Sequence, residues 1–179
     1  MSAPSPKGLA TRLERLEAEA AIRRLMARYM ALCDQLDATT PMDELGGLFA
    51  RDATWRGAGG RYGAAFGRHA GRTAIVAMLG AYRGPPPHFA MNAHFLCSEA
   101  IEVEDGEARG GWMMLQTSTF ADGASRLSAA RLEVRFAWEE GAWRIADFAT
   151  TSLFSRPTPP WDDASRLPTP PPSANPGTA

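Results

Sequence analysis

The feature that most constrains this chain is a change of hydrophobic period partway along it. Before Gly84 the apolar residues recur every three or four positions, and after Pro87 they alternate with polar ones over four long stretches. Those stretches, residues 91–103, 107–121, 126–139 and 143–154, are separated only by Glu104-Asp105-Gly106, Asp122-Gly123-Ala124 and Glu140-Gly141, which are turn compositions. Strands joined this tightly pair as an antiparallel meander. Helices first and a meander after them predict an α+β fold, with a sheet long enough to curl around the first helix.

That helix is written in Leu13, Leu16, Ala20, Ile22, Leu25, Tyr29, Leu32 and Leu36, which step mainly by three and four and mark one apolar face, with Glu and Arg filling the other. It should end near Asp37. Thr40 and Pro41 then read as the N-cap and first-turn proline of a shorter helix through Phe49, followed by a strand over 53–58. A third helix is expected over 72–82, stopped by Gly84-Pro85-Pro86-Pro87. Gly57, Gly59, Gly60 and Gly63 invite a dinucleotide reading, but the third glycine of G-x-G-x-x-G would fall on Tyr62 and no helix opens directly there. The segment reads as a glycine-rich turn.

Residues 1–8 read as a disordered lead, 9–155 as the folded domain and 156–179 as an arm. The arm holds eight of the chain's 14 prolines, a composition that cannot bury a core. Trp161 and Leu167 are the residues that could pin it to its own body or to a neighbouring subunit.

At 179 residues and 45% hydrophobic, the chain has material for one core. Its 19 basic and 20 acidic side chains leave a net charge of -1, which argues against nucleic-acid or anionic-membrane partners. Every apolar run is broken well before the roughly 18–20 residues of a membrane span, and the N-terminus enters a charged helix, so a cytoplasmic location is expected. In that reducing compartment Cys33 and Cys97 should be free, buried thiols. With His69, His88 and His94 they form no C-x-x-C or H-E-x-x-H spacing, so no metal site is predicted.

His94 stands in the first long strand with Asn92, Leu96 and Ser98 on its own face. Met91, Ala93, Phe95, Cys97 and Ile101 on the other face are more continuously apolar, so His94 should point to solvent or into a polar-lined cavity. His88 reads as a loop residue at a cavity rim and His69 as a surface loop residue. By composition Asp34 is a solvated carboxylate at a helix end. It lies about 140° around that helix from Tyr29, so both reach one cavity only if the helix end loosens or the sheet wraps around it. A histidine beside a carboxylate is the usual way to build a base that works near neutral pH, and a nearby tyrosine can assist a developing oxyanion or a leaving hydroxyl.

Residues 12–155 resemble the SnoaL-like family of the nuclear transport factor 2 (cystatin-like) superfamily. The resemblance is carried by Ile22, Leu25, Tyr29 and Asp34, by the run from Leu45 to Trp55, and by Gly67, Gly71 and Arg72. His94 to Ser98, Ile101 to Val103, Asp105 to Ala108 and Gly141 to Ile145 complete it. It implies a cone-shaped curved antiparallel sheet wrapped around the N-terminal helices, as in scytalone dehydratase and bile acid 7α-dehydratase. It also implies a His–Asp dyad working without a cofactor, with His94 as base, Asp34 orienting it and Tyr29 beside them. Trp55, Tyr62, Phe66, Trp112, Met114, Phe120 and Phe148 would line the pocket, though ordinary core packing accounts for each equally well. Two positions depart from the family pattern: Asp147 and Phe148 stand near where several members carry an arginine, with Arg144 before them, and Ser98 stands where relatives often have asparagine.

The leading expectation is therefore a cofactor-independent lyase acting on a hydrophobic aromatic or polycyclic hydroxylated molecule, expelling water or a small carbonyl such as formaldehyde. A polyketide cyclase or ketosteroid-type isomerase would use the same base. A third alternative is a non-catalytic partner resembling the β subunit of ring-hydroxylating dioxygenases. Arg131, Glu133 and Arg135 share one strand face, and Ala130, Leu132, Val134, Phe136 and Trp138 the other. The charged side reads as solvated, but in this superfamily the outer sheet face commonly forms a subunit interface. A homo-oligomer is expected, a trimer first and a dimer second.

Overall fold

Ser5 sets the first helix: its hydroxyl accepts from the Gly8 amide at 3.2 Å and Pro6 occupies the first turn, so α1 runs Pro6–Asp34. The helix thus begins inside the segment expected to be a disordered lead. In this computed structural model residues 5–104, 106–161 and 165 are described. The buried face of α1 spans Ala18 to Cys33, whereas Leu9, Leu13 and Leu16 stay exposed because the first turns project beyond the sheet.

After α1, Thr40 does not cap a helix. Its hydroxyl instead bonds the carbonyl of Gln35 and accepts from the Asp37 amide, which tightens the turn before α2 (Met42–Gly47). Phe49, fully buried, belongs to β1 (Phe49–Ala58) and not to the preceding helix. The glycine-rich stretch forms a helix, α3 (Gly59–Phe66), where a turn was expected. Gly57 explains the difference: a Cβ there would lie 2.0 Å from the Tyr62 carbonyl oxygen, so its absence lets α3 lie directly on β1. A short β2 (Arg68–Ala70), α4 (Arg72–Gly80) and a 3₁₀ turn (Ala81–Arg83) follow.

The four meander strands are β3 (Phe89–Glu104), β4 (Glu107–Phe120), β5 (Ser125–Glu139) and β6 (Ala142–Thr158). The sheet order is β2-β1-β6-β5-β4-β3. Every pairing is antiparallel except β1 with β6, which is parallel, because β1 precedes the meander and closes onto its last strand. The sheet is therefore mixed rather than wholly antiparallel. Irregular register at Cys97/Ala100, Ala129/Ala130 and Arg135/Phe136 bends these long strands around α1.

The core lies between the concave face, with Leu132, Phe136 and Ile145, and α1, with Ile22 and Met26. Trp138, expected among the inward residues, is exposed, since the β5–β6 hairpin tip extends past the core and its ring meets Trp143 instead. β6 runs on through Pro157, opposite Arg126, so the first residues assigned to the arm are strand. Trp161 donates from Nε1 to the Ser118 carbonyl at 3.1 Å, which pins the chain to its own body; Leu167 lies outside the described residues. Cys33 is buried as expected, but Cys97 is exposed on the convex face. Among the described residues no helix is long and apolar enough to cross a membrane.

Candidate active site

Asp34 is the last residue of α1, and the chain leaves helical geometry at Gln35. From there its carboxylate reaches sideways to β3, where it accepts from the His94 backbone N–H at 3.1 Å and from the ring Nδ1–H at 2.6 Å. A ring nitrogen that donates to a carboxylate carries the proton, so Nε2 keeps its lone pair. His94 lines the central cavity, and among the described residues its Nε2 has no hydrogen-bond partner. The wide angle between Tyr29 and Asp34 is thereby reconciled. Tyr29 lines the cavity itself, while Asp34 stands behind His94 and does not.

The cavity holds about 360 Å³, the size of a small-molecule site. Its roof is apolar: Met30 and Cys33 of α1, Leu36 just beyond that helix, Tyr62 and Phe66 of α3, and Leu79 of α4. Trp55 and Phe148 stack with ring planes 8° apart on one wall. At the mouth His88 packs edge-on against Tyr82, Phe89 and Phe120. Of the predicted lining residues, Trp55, Tyr62, Phe66, His88, Met114, Phe120 and Phe148 are in place. Trp112 is not. Its indole donates to Glu99 at 3.2 Å and packs on Phe136, occupying space that Gly110 leaves free, since a Cβ there would lie 2.3 Å from the ring.

The floor is polar, and the sequence reading passed over most of it. Asn92 is buried, donates to the Cys33 carbonyl at 3.3 Å and accepts from Gln116 at 2.8 Å and Ser118 at 2.9 Å. Ser128 and Ser155 are 2.8 Å apart, and Arg126 donates to Ser155 at 3.2 Å. The signal lay in the alternation. Positions 92, 94, 116, 118, 126 and 128 share the inward register of their strands and are polar, where 112, 114, 132 and 134 are apolar.

Tyr29 accepts at its hydroxyl from Trp55 Nε1 at 3.0 Å. Burial raises its pKa well above the ordinary phenol value, and burial pushes the Cys33 thiol up to about 12. His69 is half-buried on β2, donating to the Phe66 carbonyl at 2.9 Å, and so is not a surface loop residue. Asp147 pairs with Arg56 at 3.1 Å, and Arg144 bonds the Gly47 carbonyl rather than pointing outward. Ser98 sits outside the site at the β3 irregularity with φ 50°, a left-handed geometry that asparagine also tolerates.

A bent mixed sheet closed over a long helix is the cone fold of cystatin-like proteins. The SnoaL-like domain model matches residues 14–149, and the chain belongs to that family. Among solved structures, hexachlorocyclohexane dehydrochlorinase (LinA type 3) from Novosphingobium barchaimii is similar at 18% identity and TM-score 0.68, over 89% of this chain and 99% of that one. A candidate scytalone dehydratase from Novosphingobium aromaticivorans matches at 18% identity and TM-score 0.66, over 84% and 97%. An NTF2-like protein with a cystatin-like fold, also from N. aromaticivorans, matches at 26% identity and TM-score 0.61, over 85% and 92%. No curated protein matches in sequence.

Proposed function

We propose that the protein is a cofactor-independent lyase that uses His94 as general base on a hydrophobic, hydroxylated aromatic or polycyclic substrate. The observation that carries this reading is the 2.6 Å bond from His94 Nδ1 to Asp34, which leaves Nε2 without a partner among the described residues, at a cavity with an apolar roof. Nε2 takes a proton from carbon, or from a phenol conjugated to it. The electron pair forms the new double bond as the C–O bond breaks, and the imidazolium returns its proton to the departing hydroxide as water. Asp34 stabilises the imidazolium between these steps. Because burial raises the Tyr29 pKa well above the ordinary phenol value, the returning imidazolium is the readier acid. Loss of formaldehyde follows when the base takes the proton of a CH2OH group: the O–H pair forms the C=O bond as the C–C bond breaks, and the carbanion left on the ring-bearing carbon takes the proton back from the imidazolium.

An isomerase or cyclase would draw on the same base but expel nothing, so product mass separates the readings. Incubated with hydroxylated aromatic and alicyclic compounds, the protein should yield products lighter by water or formaldehyde. Products of unchanged mass would replace the lyase reading with the isomerase one. The oligomer belongs to the same proposal: Phe95, Leu115 and Phe154 are exposed on the convex face and joined in register through the buried Ala129, a row suited to a second copy of the chain.

A further inference from the structure

The charged residues of the cavity do not balance. Its lining includes Arg61 and Arg126 but, among the described residues, no carboxylate, since the nearest one, Asp34, lies behind His94. Elsewhere Arg23, Arg28, Arg51, Arg56 and Arg72 each face an acidic side chain. Arg126 has only the Ser155 hydroxyl as a partner, and Arg61 makes no hydrogen bond or ion pair, among the described residues. A half-buried guanidinium left with one neutral acceptor retains most of its donors for something else.

Position makes the imbalance specific. Gln116 pairs with His94 and with Ser128, and Arg126 precedes Ser128 by two residues on the same inward face of β5. At ordinary strand spacing and rise, the Arg126 backbone is about 12 Å from that of His94. The polar floor of Gln116, Ser118 and Ser128 lies between them. A bound molecule would meet an apolar roof on one side, hydrogen-bonding groups along the other, and a positive charge at the end away from the base.

We propose that the substrate is a carboxylate, a hydroxylated ring compound whose anionic end is held by Arg126 while its reacting carbon lies at His94. The planar two-oxygen geometry of a carboxylate matches the guanidinium fork, and Arg61 is a second positive charge in the cavity lining. The proposal rests on the reading of the cavity as a substrate site, but not on the identity of the reaction.

The test is equilibrium binding to the full-length protein of a hydroxynaphthoate and of the matching neutral hydroxynaphthamide. Wild type should prefer the carboxylate by about tenfold or more, the scale of one charge-assisted hydrogen-bonded contact. In Arg126→Met the preference should fall to within about twofold, while the amide binds as before and so reports an intact cavity; Arg126→Lys should restore part of it. His94→Ala should keep the preference, so loss of catalysis and loss of anion recognition are read separately. Equal affinity for the two probes in wild type, a preference that survives Arg126→Met, or failure of both probes to bind wild type would each overturn the proposal.

Discussion

His94 takes its orientation from a residue on another element, and this explains how far the site could be read from the sequence. A histidine on an inward strand position is visible as alternation, but the carboxylate that selects its tautomer comes from the end of α1, sixty residues earlier. On composition Asp34 reads as a solvated helix end, and acid–base chemistry offers its pairing with His94 only as one option; the resemblance singles that pairing out. Asp34→Asn should lower turnover by about a hundredfold or more, because an amide no longer holds the proton on Nδ1 or stabilises the imidazolium. The melting temperature should stay within a few degrees, and a variant of undiminished turnover would contradict the role. Cys33 supports a second prediction. Its folded pKa of about 12 exceeds the ordinary 9.0, so from pH 9 upward the unfolded chain ionises a thiol that the folded chain keeps protonated. Stability present below pH 9 is therefore lost as pH rises toward 12. Thermal melts across that range should show the decline, and Cys33→Ala should make it shallower; an unchanged slope would contradict the assignment.

At the scale of elements, the long periodic segments were legible and the short ones were not. The first helix and the four meander strands declare themselves because 14 to 29 residues repeat one pattern. The eight residues of α3 contain three glycines and a single large apolar i, i+4 pair, Tyr62 and Phe66, and the element exists because β1 supplies a surface with no side chain at Gly57. Tertiary contact decided it, which local pattern does not record. Gly57→Ala puts a methyl group into the Tyr62 carbonyl, and the backbone has to move. The expected cost is on the order of 1–3 kcal/mol in a denaturant melt, together with weaker ligand binding, since α3 carries Tyr62 and Phe66 into the cavity roof. A variant as stable as wild type would show that α3 does not rest on that strand. The parallel β1–β6 pairing was illegible for a similar reason: strand order depends on closure of the whole sheet.

The whole molecule presents two faces of opposite character. Inside, an apolar roof lies over a polar floor; outside, the apolar row through Phe95 and Leu115 lies beside the charged residues Arg131, Glu133 and Arg135. The sequence reading marked β3's apolar set without fixing its side, and the structure turns Phe95 and Cys97 outward, because the concave side is taken by Asn92 and His94. If that row joins copies of the chain, Leu115→Glu should convert an oligomer, a trimer first and a dimer second, into monomer by light scattering, while leaving the fold intact. A wild-type protein that runs as a monomer at micromolar concentration would contradict this. The account as a whole depends on Nε2 of His94 acting as the base. Its most direct test is the turnover of His94→Ala, measured beside its melting temperature on a substrate that the wild type converts. The account predicts a loss of about 10²–10⁴-fold or more with the fold unchanged; a folded variant with full activity would contradict it.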